Sequence, residues 1–288
     1  MMNTHDKVMA CVDQSHFADH VADYAAWAAQ RLDAALELLH IIERHAEIAT
    51  QADHSGAIGI DAQEMLLDEL SHQDETRSKA ARERGRVFLN RLRERALAAG
   101  VDNVDMRQRQ GSLHDTLREQ QADVSLFVLG RRGASAEHTQ RDLGRNVESV
   151  VRNLNQPILT VTEDFRPPRS ALIAFDGGRM SRRGVQLVAR STLFKGMTVH
   201  LLMSGKPRNE GQKLLDAAHA TLREAGFDGS AEMIAGDPET VIARQVQHHA
   251  IDMLVMGAYS HSPIRSLLVG SRTTDLLRAA KIPALLLR

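Results

Sequence analysis

The sequence predicts an α/β protein: two tandem doubly wound, mainly parallel five-stranded open sheets, packed against each other as an intrachain pseudo-dimer. Three observations carry this. Apolar runs of strand length alternate with helical patterns from end to end, which calls for parallel strands joined by crossover helices. The runs are apolar on successive residues, as in Ala35-Leu36-Glu37-Leu38-Leu39-His40-Ile41-Ile42, so the strands are covered on both faces. The plan then repeats after about 160 residues, a domain-sized period and not that of a solenoid.

The first strand runs from Lys7 to Val12 and ends at Asp13-Gln14-Ser15, where Asp13 and Ser15 are both candidate caps for a helix from Phe17 to Leu32. Val21, Tyr24, Ala25 and Ala28 give that helix an apolar stripe. After the second strand come polar residues with glycines, then a long helix from about Asp61 to Ala99, stopped by Gly100. Ser71 to Arg86 is almost wholly polar, so this helix is expected either to run past the core or to break there. It reads as a solvated helix, with an arm contacting a second chain as the sharper alternative. A third strand falls near Val104–Gln108, and Gly111-Ser112-Leu113-His114-Asp115 opens a short helix to Gln121. The fourth strand is Val124–Leu129, followed by Gly130-Arg131-Arg132-Gly133. Asp142-Leu143-Gly144-Arg145-Asn146 opens a helix to Leu154, and Pro157–Val161 is the fifth strand.

Glu163-Asp164-Phe165-Arg166-Pro167-Pro168-Arg169 is a linker by composition, which divides the chain into domains at 1–162 and 170–288. Beyond it the plan restarts. Ala171–Phe175 leads into Asp176 as Cys11-Val12 leads into Asp13, and Thr198–Met203 matches the second strand. Glu210–Ala225 replaces the long helix, and Gly236-Asp237-Pro238-Glu239 matches Gly111–His114. Met253–Gly257 matches Phe127–Gly130, and Lys281–Leu287 matches Asn155–Val161. The last strand of each half is short and apolar, and the two are expected to pair with each other and so cover both edges.

Acidic residues number 37 and basic residues 36, a balance that offers no attraction to nucleic acid or to a membrane surface. The chain shows no apolar stretch near the ~18 residues of a membrane span and no signal-peptide core at its start, so a soluble, cytoplasmic protein is expected. The lone cysteine, Cys11, reads as core filler. The 14 histidines are scattered, and the pair His248-His249 is expected to point to opposite sides of a helix, so no metal site is predicted.

In such sheets the ligand crevice lies at the carboxyl ends of the strands, where strand order reverses. Asp13, Gly130 and Gly144 fall at such ends in the first half, and Asp176, Gly257 and Gly270 in the second. In Gly257-Ala258-Tyr259-Ser260 and Gly270-Ser271-Arg272-Thr273-Thr274 the spacing is G-x2-S-x9-G-S, which is not a Walker loop. A glycine at a strand end admits close backbone approach, and a helix start offers N–H groups and hydroxyls to phosphate oxygens. Arg265 and Arg272 are candidate phosphate partners by charge. Taken singly, Asp176 and Ser271 are also helix caps, Gly257 a strand end and the arginines solvated surface groups.

The spacing resembles the G-x2-G-x9-G-[S/T] nucleotide motif of the universal stress protein family, with Ser260 at the second glycine. The resemblance covers nearly the whole chain and takes the form of two such domains in tandem, of the adenine nucleotide alpha hydrolase-like fold. It implies that Asp176 contacts adenine, and that Gly257 (beside Met256), Ser260, Gly270 and Ser271 hold ribose and phosphates with Arg272 and Thr273. It implies ATP or another adenine nucleotide as ligand, Mg with the nucleotide only, and pairing of single-domain relatives through their last strands. In the first half Asp13, Gly130, Gly133 and Gly144 are present, but ten residues separate Gly133 from Gly144 where the family has nine. Arg145 and Asn146 there replace the hydroxyl pair, so that site is expected to be degenerate or differently selective.

No lysine lies in the cradle, no acidic pair is placed for magnesium and no nucleophile has an evident base. The expectation is a stress-response regulatory protein binding an adenine nucleotide mainly in its second domain, with slow or no hydrolysis. The alternatives are a nucleotide-free interaction scaffold of the same fold, and an ATP pyrophosphatase, whose S-G-G-x-D-S loop is matched only by Asp176-Gly177-Gly178-Arg179 in the wrong order. A homodimer beyond the intrachain pair is left open.

Overall fold

A computed structural model describes residues 7–42, 60–131, 150–151, 153–162, 164–206, 208–257 and 282–288; the side chains of 60–71, 73 and 74 are outside the description. Among the described residues there are ten strands: β1 (Lys7–Val12), β2 (Ala35–Ile42), β3 (Val104–Gln110), β4 (Val124–Gly130), β5 (Ile158–Val161), β6 (Ser170–Ala174), β7 (Thr198–Ser204), β8 (Ala231–Ile234), β9 (Met253–Gly257) and β10 (Ala284–Leu287). The helices are α1 (Ala18–Leu32), α2 (Ile60–Ala98), α3 (Leu113–Gln120), α4 (Arg179–Arg190), α5 (Asn209–Glu224) and α6 (Pro238–His248).

All ten strands join one sheet in the order β3-β2-β1-β4-β5-β10-β9-β6-β7-β8. Within each half every pairing is parallel. The halves meet where β10 runs antiparallel to β5, Ala284 opposite Thr160, Leu285 opposite Leu159 and Leu286 opposite Ile158. This is the expected pseudo-dimer. Two short strands with every residue buried would otherwise leave open, apolar edges. Because the junction is antiparallel, the carboxyl ends of β1–β5 lie along one edge of the sheet and those of β6–β10 along the other. Thr160 Oγ1 donates to the Ala284 carbonyl at 3.2 Å, so its buried hydroxyl is satisfied across the junction.

The strands are apolar on both faces because both faces are covered. Val8, Ala10, Leu36, Leu38, Ile173 and Val255 belong to one core with α1, the end of α2, α4 and α5. Met9, Leu39, Phe127, Leu172 and Leu254 belong to the other, with Leu117 of α3 and Val241, Ile242 and Val246 of α6. Both cores cross the junction. Arg31 of α1 reaches over it, donating from Nε to the Leu193 carbonyl at 3.2 Å and from Nη2 to that of Lys195. Tyr24 meets Phe165 edge-on, ring centroids 4.8 Å apart.

The long helix is unbroken: α2 runs for 39 residues, about 58 Å at the usual rise. Its buried stripe is Gly85, Leu89, Leu92 and Ala96, one helical face, and the described side chains before Gly85 are exposed or half-buried. Gly85 lets the helix settle on the sheet, since a Cβ there would lie 2.2 Å from Gln108 Nε2 and 3.1 Å from His40 Cδ2.

Two expectations need correction, and one strand was not placed. Asp13 and Ser15 do not cap α1, which starts at Ala18 with no side-chain cap; they bond each other instead, Asp13 Oδ1 accepting from Ser15 N–H at 3.2 Å and from its hydroxyl. His248 and His249 do not diverge. The helix ends at His248, Ala250 turns at φ 48°, and the two rings stack 4.8 Å apart. An edge strand, β8, had no counterpart in the sequence reading.

Candidate functional site

In each half the chain lays down three strands outward and then crosses back to set the fourth beside the first, so crossovers diverge between β1 and β4 and between β6 and β9. At the second of these points β6 ends at Ala174 and β9 at Gly257, with Ile173 opposite Val255. Asp176 and Gly257 therefore leave neighbouring strands on the same rim.

Asp176 is exposed and held in place. Its Oδ1 accepts from the Gly178 N–H at 2.8 Å and from the Ser181 hydroxyl at 2.6 Å. Gly178 is the N-cap position of α4, and Ser181 is buried in its first turn. The carboxylate thus does the work of a cap from two residues upstream. Its Oδ2 has no hydrogen bond among the described residues and remains an acceptor. Gly177, at φ 73°, makes the turn that brings α4 back over the sheet. Gly257 has a packing reason of its own, for a Cβ there would lie 2.9 Å from Met180 Cβ in the first turn of α4. Met256 is 7% exposed within the α3–α6 core, so its main chain is what it offers the rim. The first turn of α4 carries no acidic residue, and Arg179 and Arg182 on it are exposed. Positive charge at a helix start opposes the helix dipole and favours an anion nearby.

Ser260, Gly270, Ser271, Arg272, Thr273 and Arg265 lie outside the described residues. The structure thus brings together Asp176, Met256 and Gly257 of the predicted set. Ser181 was missed by sequence reasoning. Its signal is a small hydroxyl residue five positions after the aspartate, on the buried face of the helix.

In the first half Asp13 and Gly130 leave β1 and β4 on the opposite rim, Cys11 standing opposite Leu129. Gly133, Gly144, Arg145 and Asn146 lie outside the described residues. Arg131, next to Gly130, was also missed. It is 7% exposed, donates its N–H to the Val161 carbonyl at 3.0 Å and, from Nη2, bonds the Ile282 carbonyl of the other half. Burial draws its pKa down to about 10, against an upward pull from Tyr24. Burial also pushes the half-buried Cys11 thiol well above its ordinary range, with Glu37 adding to the shift, so it is inert core. Among the described residues no group of three His, Cys, Asp or Glu is arranged to hold a metal, and no helix is long and apolar enough to cross a membrane.

The model of the universal stress protein family matches residues 4–162 and again 169–288. The universal stress protein Slr1230 of Synechocystis is 32% identical over 284 residues, 98% of this chain and 99% of that one. Among solved structures, a universal stress protein of Archaeoglobus fulgidus superposes with a TM-score of 0.72 at 15% identity, covering 99% of this chain and 96% of that one. The Pseudomonas aeruginosa protein PA1789 follows at 0.59 and 17%, covering 99% and 93%.

Proposed function

The chain belongs to the universal stress protein family, and from that premise we propose that it is a regulatory protein whose second half binds an adenine nucleotide. The observation that carries this is the pairing, on neighbouring strand ends, of an exposed aspartate whose second oxygen is unengaged among the described residues and a strand that finishes in glycine. In this reading Asp176 Oδ2 accepts from the adenine amino group. Backbone at Met256 and Gly257 lines the base and ribose, and Ser260, Gly270, Ser271, Arg272 and Thr273 hold ribose and phosphates. Mg accompanies the nucleotide alone. No residue is assigned to catalysis, and the nucleotide acts as a ligand that shifts conformation or association. The chain is read as two domains, 1–162 and 170–288, joined by the linker 163–169, in a cytoplasmic protein.

ATP titration of the intact chain tests the reading. Gly270→Arg abolishes binding, whereas Gly144→Ser leaves it unchanged. Asp176→Asn keeps an oxygen for the Gly178 N–H but turns an amide donor toward the purine, and weakens binding about tenfold. Unchanged affinity in Gly270→Arg overturns the assignment. A second reading, an interaction scaffold without nucleotide, is favoured by the contact of Gly257 with Met180, which accounts for that glycine by packing alone. Mass spectrometry of the denatured protein separates the two: co-purified nucleotide supports the first, its absence together with no ATP binding the second.

A further inference from the structure

Val87 stands out on α2. It is 57% exposed, whereas Leu89, two residues on, is buried. With half-buried Phe88 it floors a cavity of about 390 Å³ whose wall is completed by Gln14, Glu83, Arg84 and Arg91. The cavity lies beside the buried stripe of α2 and uses none of the glycine-motif residues. Leu66, Leu70, Arg77, Ala80, Arg84 and Val87 are three, four or seven positions apart, so they share one side of this continuous helix. Arg77, Ala80 and Arg84 are exposed, and neither arginine has a hydrogen bond or ion pair among the described residues.

Charge is divided along the same helix. Residues 60–75 hold six acids and no Lys or Arg, whereas residues 76–86 hold five Lys or Arg against Glu83 alone. Parallel self-association would set acid on acid. Antiparallel association sets each half on its complement. A two-fold axis near residue 76 brings position 66 beside Val87 of the second copy, Glu69 beside its Arg84 and Asp74 beside its Arg77. The chain's own leucines cannot fill the cavity, since on an unbroken helix Leu70 and Val87 lie about 25 Å apart. We propose that α2 is a homodimerisation arm, pairing antiparallel with α2 of a second copy so that the acidic, leucine-bearing half of one covers Val87 and Phe88 of the other. Covered apolar surface supplies the affinity and charge supplies the direction, because exposed ion pairs stabilise little on their own. The pairing is independent of the nucleotide reading and of the β5–β10 junction, whose two edges are consumed within one chain.

Sedimentation velocity of the intact chain, at about 50 mM and about 0.5 M salt, tests the proposal. A concentration-dependent dimer is expected, weaker at the higher salt. Val87→Asp, the pair Arg77→Glu with Arg84→Glu, and the pair Glu69→Lys with Asp74→Lys each raise the dimer Kd about tenfold or more. Mixing the two charge-reversed proteins restores the dimer, which a misfolded helix could not do. Residues 1–162 alone carry the same arm, so other associations of that fragment are read on the Arg77→Glu, Arg84→Glu background. A wild type that stays monomeric overturns the proposal. So does a dimer indifferent to all three variants, or a mixture that fails to re-form one.

Discussion

Ser181 and Asp176 fix each other at the mouth of the second-half crevice. The hydroxyl is buried, and its 2.6 Å bond to Oδ1 aims the carboxylate. Ser181→Ala is expected to cost about 1 kcal/mol, read as a fall of a few degrees in Tm. A second residue-scale prediction concerns His200. Its Nδ1 lies 2.9 Å from Ser230 Oγ, and its ring stacks 4.6 Å from that of His249, which lies 3.5 Å from Glu232. Burial lowers the His200 pKa, the charge of His249 lowers it further, and Glu232 opposes both. The unfolded chain therefore takes up this proton first. The contribution is fully present above the ordinary histidine value of about 6.5 and is lost as pH falls from there toward the lowered value. The Tm of wild type should drop over that interval, and His200→Asn should flatten the drop; identical acid limbs would refute the account. Such pairings were not legible in the sequence, because their members come from β7, β8 and the end of α6. The aspartates and glycines at strand ends were legible, because within each half every parallel strand must exit toward one rim.

At the scale of elements, β8 and α2 show what periodicity sees and misses. β8 is four half-buried residues, Ala231-Glu232-Met233-Ile234, paired on one side only, so it carries neither an apolar run nor an alternation. Its register depends on Gly229, whose φ is 152° and where a Cβ would lie 1.9 Å from the Val199 carbonyl oxygen. Gly229→Ala is expected to cost about 3 kcal/mol and to release amide protection along β8 in hydrogen exchange; protection equal to wild type would count against it. For α2, the polar stretch through Arg86 left open whether the helix continued. It does, because Arg, Glu and Ala sustain a helix without an apolar face and no proline interrupts them. Polarity there reported exposure, not a break. At His249 the opposite error arose, since a helical spacing was carried one residue beyond the helix end.

For the whole molecule, the decisive contact is the β5–β10 junction. The sequence signal was chemical: each half ends in a short apolar strand that water would not tolerate at an edge. Direction was not in that signal; it comes from the antiparallel register of Leu285 with Leu159. Residues 1–162 expressed alone would bare β5, whose four residues are all buried in the intact chain. That fragment is expected to sediment as a dimer, and Leu159→Lys should return it to a monomer; a monomeric wild-type fragment would contradict the role given to this edge. The reversed junction also sets the β1–β4 and β6–β9 divergence points on opposite edges of a single sheet. In the proposed reading a nucleotide at the second-half rim therefore has its back to the first-half rim. At the first-half rim Arg131 grips the far half's Ile282 carbonyl, tying the two halves together beside the β5–β10 junction.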